Sequence, residues 1–333
     1  MNTKTLMEQE AGQTPQVVAE QFAKNQDKVR TIAKRLQQMP PKMVMIIGRG
    51  SSDHAGVFAK YLIEIETGVP VAPAAPSVAS IYGKSLKLAD TLVIAISQSG
   101  RSPDILEQAK MCQAAGAYCL ALVNDESSPL AALADDVLPL SAGPENSVAA
   151  TKSYLATLSA LLQLTAYWSN NQSLIDALPK LPAALTQVIE SAPQLSLAAI
   201  GKQRNLVVLG RGLGYAVTKE LALKLKEVCS IHAEAFSSAE FLHGPVTLVE
   251  QQLTIIDCDI ADEAQQAHRQ QIKEVEQRGA TVSHLHQVVS DVHPRLAPLL
   301  VLQRFYLDIA GIATQMGFNP DEPKGLKKVT KTL

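Results

Sequence analysis

Val44-Met-Ile-Ile-Gly48-Arg49-Gly50 and Leu206-Val-Val-Leu-Gly210-Arg211-Gly212 decide the fold of this chain. Each is a short aliphatic run closed by Gly-Arg-Gly, the pattern of a buried strand that turns sharply into its next element. The two turns stand 162 positions apart, Gly48 to Gly210. Two further landmarks keep that spacing. Leu92–Ile96 matches Leu253–Asp257 at 161 positions, and Ala115-Gly116-Ala117 matches Arg278-Gly279-Ala280 at 163. A near-constant offset over three landmarks reads as two copies of one supersecondary unit.

Each copy runs strand, glycine turn, helix, strand, loop, helix, strand. That alternation predicts an α/β fold of two tandem subdomains, each a doubly wound, mostly parallel sheet flanked by helices. The expected divisions are an N-terminal helical extension over 1–40, a first subdomain over 41–170 and linker helices over 171–200. A second subdomain follows over 201–318, then a C-terminal loop over 319–333. In the extension, residues 14–38 place Val17, Val18, Phe22 and Val29 on a broad apolar stripe. Pro179, Pro182 and Pro193 break the linker into short pieces, and Pro320 and Pro323 exclude regular helix in the tail.

Composition narrows the classes of function. The chain has 333 residues, 47% hydrophobic and 19% charged, with a net charge of −2. No basic stripe is present, which argues against a nucleic-acid partner. Cys112, Cys119, Cys229 and Cys258 show no C-x-x-C spacing and sit in apolar contexts, so they read as reduced core residues rather than disulfides or zinc ligands. Residues 1–13 lack the apolar segment of a signal peptide. The apolar run Tyr154–Trp168 is interrupted by Thr157, Ser159, Gln163 and Thr165 and is too short and polar for a membrane span. The expected location is the cytoplasm, with no membrane partner, metal or cofactor.

The chemistry concentrates in Ser97-Gln98-Ser99-Gly100-Arg101-Ser102-Pro103, directly after the strand-like Thr91–Ile96. Ser102-Pro103 reads as an N-cap followed by proline in the first helical position. Hydroxyls, an amide and a glycine therefore stand at a helix mouth, where unpaired N–H groups and the helix dipole favour an anion. This is a phosphate cradle, though not the P-loop of nucleotide enzymes, which it lacks in pattern. In the second copy, Cys258-Asp259-Ile260 stands where the serines do, directly after Asp257, and two carboxylates repel a phosphate. Only the first copy is expected to hold the anion.

The second copy supplies charges of another kind. Over 216–228 a helical pattern puts Glu220, Lys224 and Glu227 on one face, which periodicity alone reads as a solvent face of ion pairs. Beyond it come His232-Ala-Glu234 and His243-Gly244-Pro245. The second is a tight corner that holds an imidazole where it can exchange protons near neutral pH.

Taken in order, Gly48-Arg-Gly50-Ser-Ser52, Ser97 to Ser102, Asn146-Ser-Val-Ala-Ala-Thr-Lys152, Lys224-Leu-Lys-Glu227, His232-Ala-Glu-Ala235, His243-Gly-Pro245 and Leu326-Lys-Lys-Val-Thr330 resemble the SIS (sugar isomerase) family. Within it the chain resembles the isomerase half of glucosamine-6-phosphate synthase and the stand-alone amino-sugar-phosphate deaminases, from about residue 40 onward. The resemblance implies that Ser97, Gln98, Ser99 and Ser102 hold a sugar phosphate, with Gly50, Ser51 and Ser52 lining the same pocket. Val148 and Ala149 contact the sugar through their backbone. Glu227 moves the proton between C1 and C2, and Lys224 orients it. His243 opens the pyranose ring from the other subunit of a homodimer, and Lys328 contacts the open-chain substrate. One base beside an anchored phosphate suffices for this chemistry, without metal or redox cofactor.

Two departures bear on the reaction. The glutaminase half of the synthases is not in this chain (residue 2 is Asn2), so the expected direction is deamination of glucosamine 6-phosphate to fructose 6-phosphate and ammonia. Ala150 stands where the synthases carry serine, which loosens the identity of the sugar. A galactosamine-6-phosphate deaminase or a ketose/aldose isomerase fits the same residues. A non-catalytic sugar-phosphate sensor needs the serine loop but has no use for Glu227, His243 and Lys328 together. A dinucleotide fingerprint at Gly48-x-Gly50-x-x-Asp53 lacks its third glycine and leaves the serine loop unexplained.

Overall fold

The structure, a computed structural model, describes residues 4–326. The chain opens with α1 (Leu6–Gly12) and α2 (Thr14–Gln38), then runs β1 (Met43–Ile47), α3 (Ser51–Thr67), β2 (Val71–Pro73), α4 (Ser77–Ser80), β3 (Thr91–Ser97) and α5 (Pro103–Ala114). It continues through β4 (Tyr118–Val123), α6 (Pro129–Leu133), β5 (Asp136–Pro139), α7 (Lys152–Trp168), α8 (Gln172–Ala177), α9 (Leu181–Glu190) and α10 (Leu197–Ile200). The second half holds β6 (Asn205–Gly210), α11 (Leu213–Cys229), β7 (His232–Ser237), α12 (Ser238–Phe241), β8 (Thr254–Asp259), α13 (Gln265–Gln277), β9 (Thr281–His286) and α14 (Ala297–Gln315).

The sheets have the orders β2-β1-β3-β4-β5 and β7-β6-β8-β9, and every pairing is parallel. The expected two-copy α/β architecture is what the chain builds. Both glycine turns are used identically. Gly50 and Gly212 cap the first long helix of each copy at φ 53° and 55°, where a side chain would be strained. Gly48 and Gly210 lie so near the following helix that an added Cβ would stand 2.7 Å and 2.6 Å from backbone carbon. The one difference in strand number is β5, which has no counterpart after β9.

Register corrects the sequence alignment by one residue. Ile47 pairs with Ala95 while Leu209 pairs with Asp257, so Asp257 corresponds to Ala95 and Asp259 to Ser97. The landmark at 161 positions therefore belongs at 162. Leu253 misled because it precedes the strand, whereas β8 begins at Thr254 and, like β3, is buried along its whole length.

Two compact units interleave along the chain, where the sequence reading expected consecutive blocks. One holds residues 16–144 and 152–179, the other 4–15, 145–151 and 180–326. In the first, the stripe of α2 buries Val18 and Val29, and its polar side chains are not idle. Gln21 donates to the carbonyls of Leu140 and Ala156, and Asn25 to that of Pro139, which ties α2 to the end of β5 and to α7. In the second unit α14 packs against α1, α9 and α11. Among the described residues, Pro294–Gln315 is the one helical stretch long and apolar enough to cross a membrane, and here it is largely buried within the protein. The four cysteines are free and buried.

Candidate active site

In each sheet the strand order reverses beside the first strand of the copy, between β1 and β3 and between β6 and β8. Ligands of doubly wound sheets bind outside the carboxyl ends of the strands at such a switch point. In the first unit both loops leaving that point start helices: Gly48–Gly50 opens α3 and Ser97–Ser102 opens α5. The two are tied together. Arg49 Nε donates to the buried carboxylate of Asp104, in the first turn of α5, at 2.7 Å.

The serine loop is pinned from within. Ser97 Oγ accepts from the Gly100 N–H at 3.1 Å, and Ser99 Oγ from the Arg101 N–H at 3.3 Å. Gln98 and Gly100 carbonyls accept from Asn124 and Leu130, and Arg101 turns away to Asp125 at 2.7 Å. Ser102 is the N-cap of α5 with Pro103 after it, as the sequence predicts, but its hydroxyl makes no capping bond. Ser51 and Ser52 stand in the first turn of α3, half-buried like Gln98, Ser99 and Ser102.

Gly100 is the loop's pivot, at φ 63°, where a Cβ would meet Ser128 Oγ at 2.2 Å. Gly100→Ala is therefore expected to cost roughly 2–3 kcal/mol of stability and to weaken phosphate binding. Denaturant titration with and without inorganic phosphate measures both; unchanged values would mean the loop does not depend on this backbone.

The second copy closes the matching position by a different means from the one expected. Asp259, expected in the loop after the strand, is the last residue of β8, two positions beyond Asp257. Asp257 accepts from His268 and His284 at 2.6 Å and 2.9 Å, and Asp259 from Arg269 at 2.7 Å. Asp262 stands beside the start of α11, its Oδ2 3.5 Å from where a Gly212 Cβ would be. Burial pushes that carboxyl above its ordinary range. An acidic group already sits at the helix mouth that would receive a phosphate.

The face of α11 bearing Glu220, Lys224 and Glu227 is not a solvent face. Side-chain exposure is 0% at Glu220, 1% at Lys224 and 16% at Glu227. Helix α11 is covered by α14, β6 and β7, so the charges face protein. Lys224 Nζ lies 3.2 Å from Glu220 and 2.5 Å from Glu227, and Tyr306 Oη donates to Glu220 at 3.4 Å. Burial pulls the Lys224 ammonium down, but the two carboxylates outweigh it and leave it above its ordinary value. Glu227 thus lies against the Lys224 ammonium, with its edge at the surface.

The stretch Glu145–Thr151 belongs to the same unit as Lys224 and Glu227. Val148 donates its N–H to the Asp321 carbonyl at 2.9 Å, and the Ala149 carbonyl accepts from Ser147 Oγ at 3.1 Å. His243 stands exposed on the corner after α12, its N–H bonded to the Glu240 carbonyl. Lys328 lies outside the described residues. Sequence reasoning missed Arg49 and Tyr306, whose roles are set by distant partners. It noted Glu220 but read the wrong environment.

A cavity of about 450 Å³ opens elsewhere, at the amino ends of β3 and β4, lined by Leu36, Met39, Pro40, Thr91 and Tyr118. It is at the opposite edge of the sheet from the serine loop.

The profile of the SIS domain family matches residues 40–167 and 199–289. Glutamine–fructose-6-phosphate aminotransferase (isomerizing) of Halobacterium salinarum is 35% identical, over 86% of this chain and 51% of its own length. The chain spans about half the length of the curated relatives it matches. A solved protein of Silicibacter pomeroyi, provisionally assigned as a phosphosugar isomerase, is 36% identical with TM-score 0.89, over 95% of this chain and 100% of that one. The C-terminal domain of the glucosamine-fructose-6-phosphate aminotransferase of Francisella tularensis is 25% identical with TM-score 0.84, over 97% and 99%.

Proposed function

This chain belongs to the SIS domain family, and from that premise we propose that it is an amino-sugar-phosphate deaminase/isomerase, converting glucosamine 6-phosphate to fructose 6-phosphate and ammonia. The observation that carries this reading is the buried Glu220–Lys224–Glu227 cluster with only Glu227 reaching the surface. Burying three charges is costly in desolvation, and a module that only binds sugar phosphate has no use for it. A base that moves a proton between neighbouring carbons does.

In this reading the serine loop and the start of α3 hold the phosphate through hydroxyls and helix N–H groups. His243, contributed by the second copy of a homodimer, opens the ring. Glu227 takes the C2 proton of the open-chain aldehyde and returns it to C1, which leaves an imine at C2. Water adds to that imine and ammonia departs, so the balance is amino sugar phosphate plus water to ketose phosphate plus ammonia. Lys224 orients Glu227, and Lys328 and the backbone at Val148 and Ala149 contact the sugar.

The cysteines of this chain take no part in this reading. Burial pushes Cys112 to about 11 and Cys119 and Cys229 to about 12, with Cys258 well above its ordinary value. None offers the thiolate that would release ammonia from glutamine.

The test is ammonia release from glucosamine 6-phosphate, galactosamine 6-phosphate and N-acetylglucosamine 6-phosphate. Release from the first alone, with fructose 6-phosphate in equal amount, supports the reading; no ammonia from any of them refutes it. Ser99→Asp separately tests the cradle. Repulsion between the new carboxylate and the phosphate should raise KM by roughly tenfold or more with kcat largely kept. An unchanged KM would remove the serine loop from binding.

A further inference from the structure

Two pieces of chain, far apart in sequence, converge on the strip Asn146–Ala149. From α1, the Glu10 carboxylate is 4% exposed and accepts the N–H of Asn146 at 2.5 Å, the N–H of Ser147 at 3.1 Å and the Ser147 hydroxyl at 2.5 Å. From the tail, the Asp321 carbonyl accepts the Val148 N–H at 2.9 Å. The Asp321 carboxylate turns the other way and accepts the N–H groups of Leu6 and Met7 at 2.9 Å and 2.8 Å, at the start of α1. Glu145 closes the strip on itself by accepting the Thr151 N–H at 3.0 Å. Helix α1 is itself fixed, by a capping box between Thr5 and Glu8 and by Gln303 of α14, which donates to the Ala11 carbonyl at 3.0 Å.

A buried carboxylate on two successive N–H groups is more than the strip needs merely to stay folded. Charge-assisted bonds of this kind are the strong, short ones, and they fix a backbone direction more rigidly than turn bonds do. Asp321 links the piece that holds the strip to the tail that leads toward residue 328.

We propose that Glu10 and Asp321 are positioning residues for the reaction. Together they hold the Asn146–Ala149 backbone as a rigid template for the sugar and register the C-terminal tail against it. This rests on the functional reading above, in which Val148 and Ala149 contact the sugar. Neither residue touches substrate. Their loss loosens the template and leaves the serine loop intact.

The experiment uses the full chain with Glu10→Ala, Glu10→Gln and Asp321→Asn. Three quantities are read: kcat and KM on the hexosamine phosphate that the wild type turns over, inhibition by inorganic phosphate, and hydrogen exchange of the 146–148 amides. Glu10→Ala should raise KM roughly tenfold with kcat within a few-fold, lose amide protection, and keep phosphate inhibition unchanged. Glu10→Gln should recover part of the affinity, because one amide oxygen still accepts. Asp321→Asn should lie between the two. Protection that persists in Glu10→Ala overturns the proposal, as does protection lost with KM unchanged. A parallel loss of phosphate inhibition would show general damage and also overturn it. A wild-type protein that neither turns over a hexosamine phosphate nor binds phosphate sinks the functional reading first, and this one with it.

Discussion

Glu227→Gln is expected to lower kcat by about a thousandfold, the range for removing a general base, while phosphate inhibition stays within a factor of two. The amide has the carboxylate's shape and can still lie against Lys224, so packing is preserved. It cannot take the C2 proton. The measurement is steady-state turnover beside phosphate inhibition of the same preparation. Residual activity near wild type would reassign the base. Loss of both activity and phosphate inhibition would point to misfolding instead. The separation is sharp because the serine loop is held by its own bonds, Ser97 to Gly100 and Gln98 to Asn124, none of which involves α11.

Lys224→Met is expected to have the largest effect on stability, a loss of about 3–5 kcal/mol at neutral pH. Methionine fills the volume, but Glu220 and Glu227 then face each other without the cation that lies 3.2 Å and 2.5 Å from them. Glu220 has no water to turn to, because its side chain is wholly buried. The pH dependence has a definite sign. An uncompensated buried carboxyl holds its proton more tightly folded than unfolded, so its contribution to stability is present at low pH and is lost as pH rises. The deficit of the variant should therefore shrink toward pH 5 and grow above pH 7. Urea unfolding of both proteins across that range is the check. A deficit that is flat with pH would mean that the two carboxylates are not the cause. Lys224→Met/Glu220→Gln should recover part of the loss, since it removes the more deeply buried of the two carboxylate charges.

Much of the fold was legible because it is written in short-range pattern. Aliphatic runs closed by Gly-Arg-Gly, the Ser-Pro helix start at 102–103 and the prolines of the linker and tail each act within a few residues of chain. Their meaning survives without knowledge of partners. The register error at Leu253 has the same origin. An apolar residue just ahead of a strand looks like its first residue, and only the pairing of Leu209 with Asp257 settles which one begins it.

Environment was not legible. Glu220, Lys224 and Glu227 have the spacing of a solvent face, and nothing local distinguishes a face that meets water from one that meets α14. Asp259 was placed in the loop after the strand, yet β8 carries both it and Asp257 inward, to Arg269 and to His268 and His284. Glu10, Asp321 and Arg49 gave no signal, because their partners are distant in sequence or in the next element of the sheet.

The sequence by itself determined the duplicated α/β architecture, the serine loop at a helix start and the difference in charge between the two copies. Those follow from backbone preference and helix-end electrostatics, which act locally. Tertiary structure alone decided which charges are buried, which carboxylate stands at each helix mouth and what holds the strip at 146–149. Burial and pairing depend on segments brought together only by the folded core, and the free energy of a charge depends on its surroundings far more than on its neighbours in sequence.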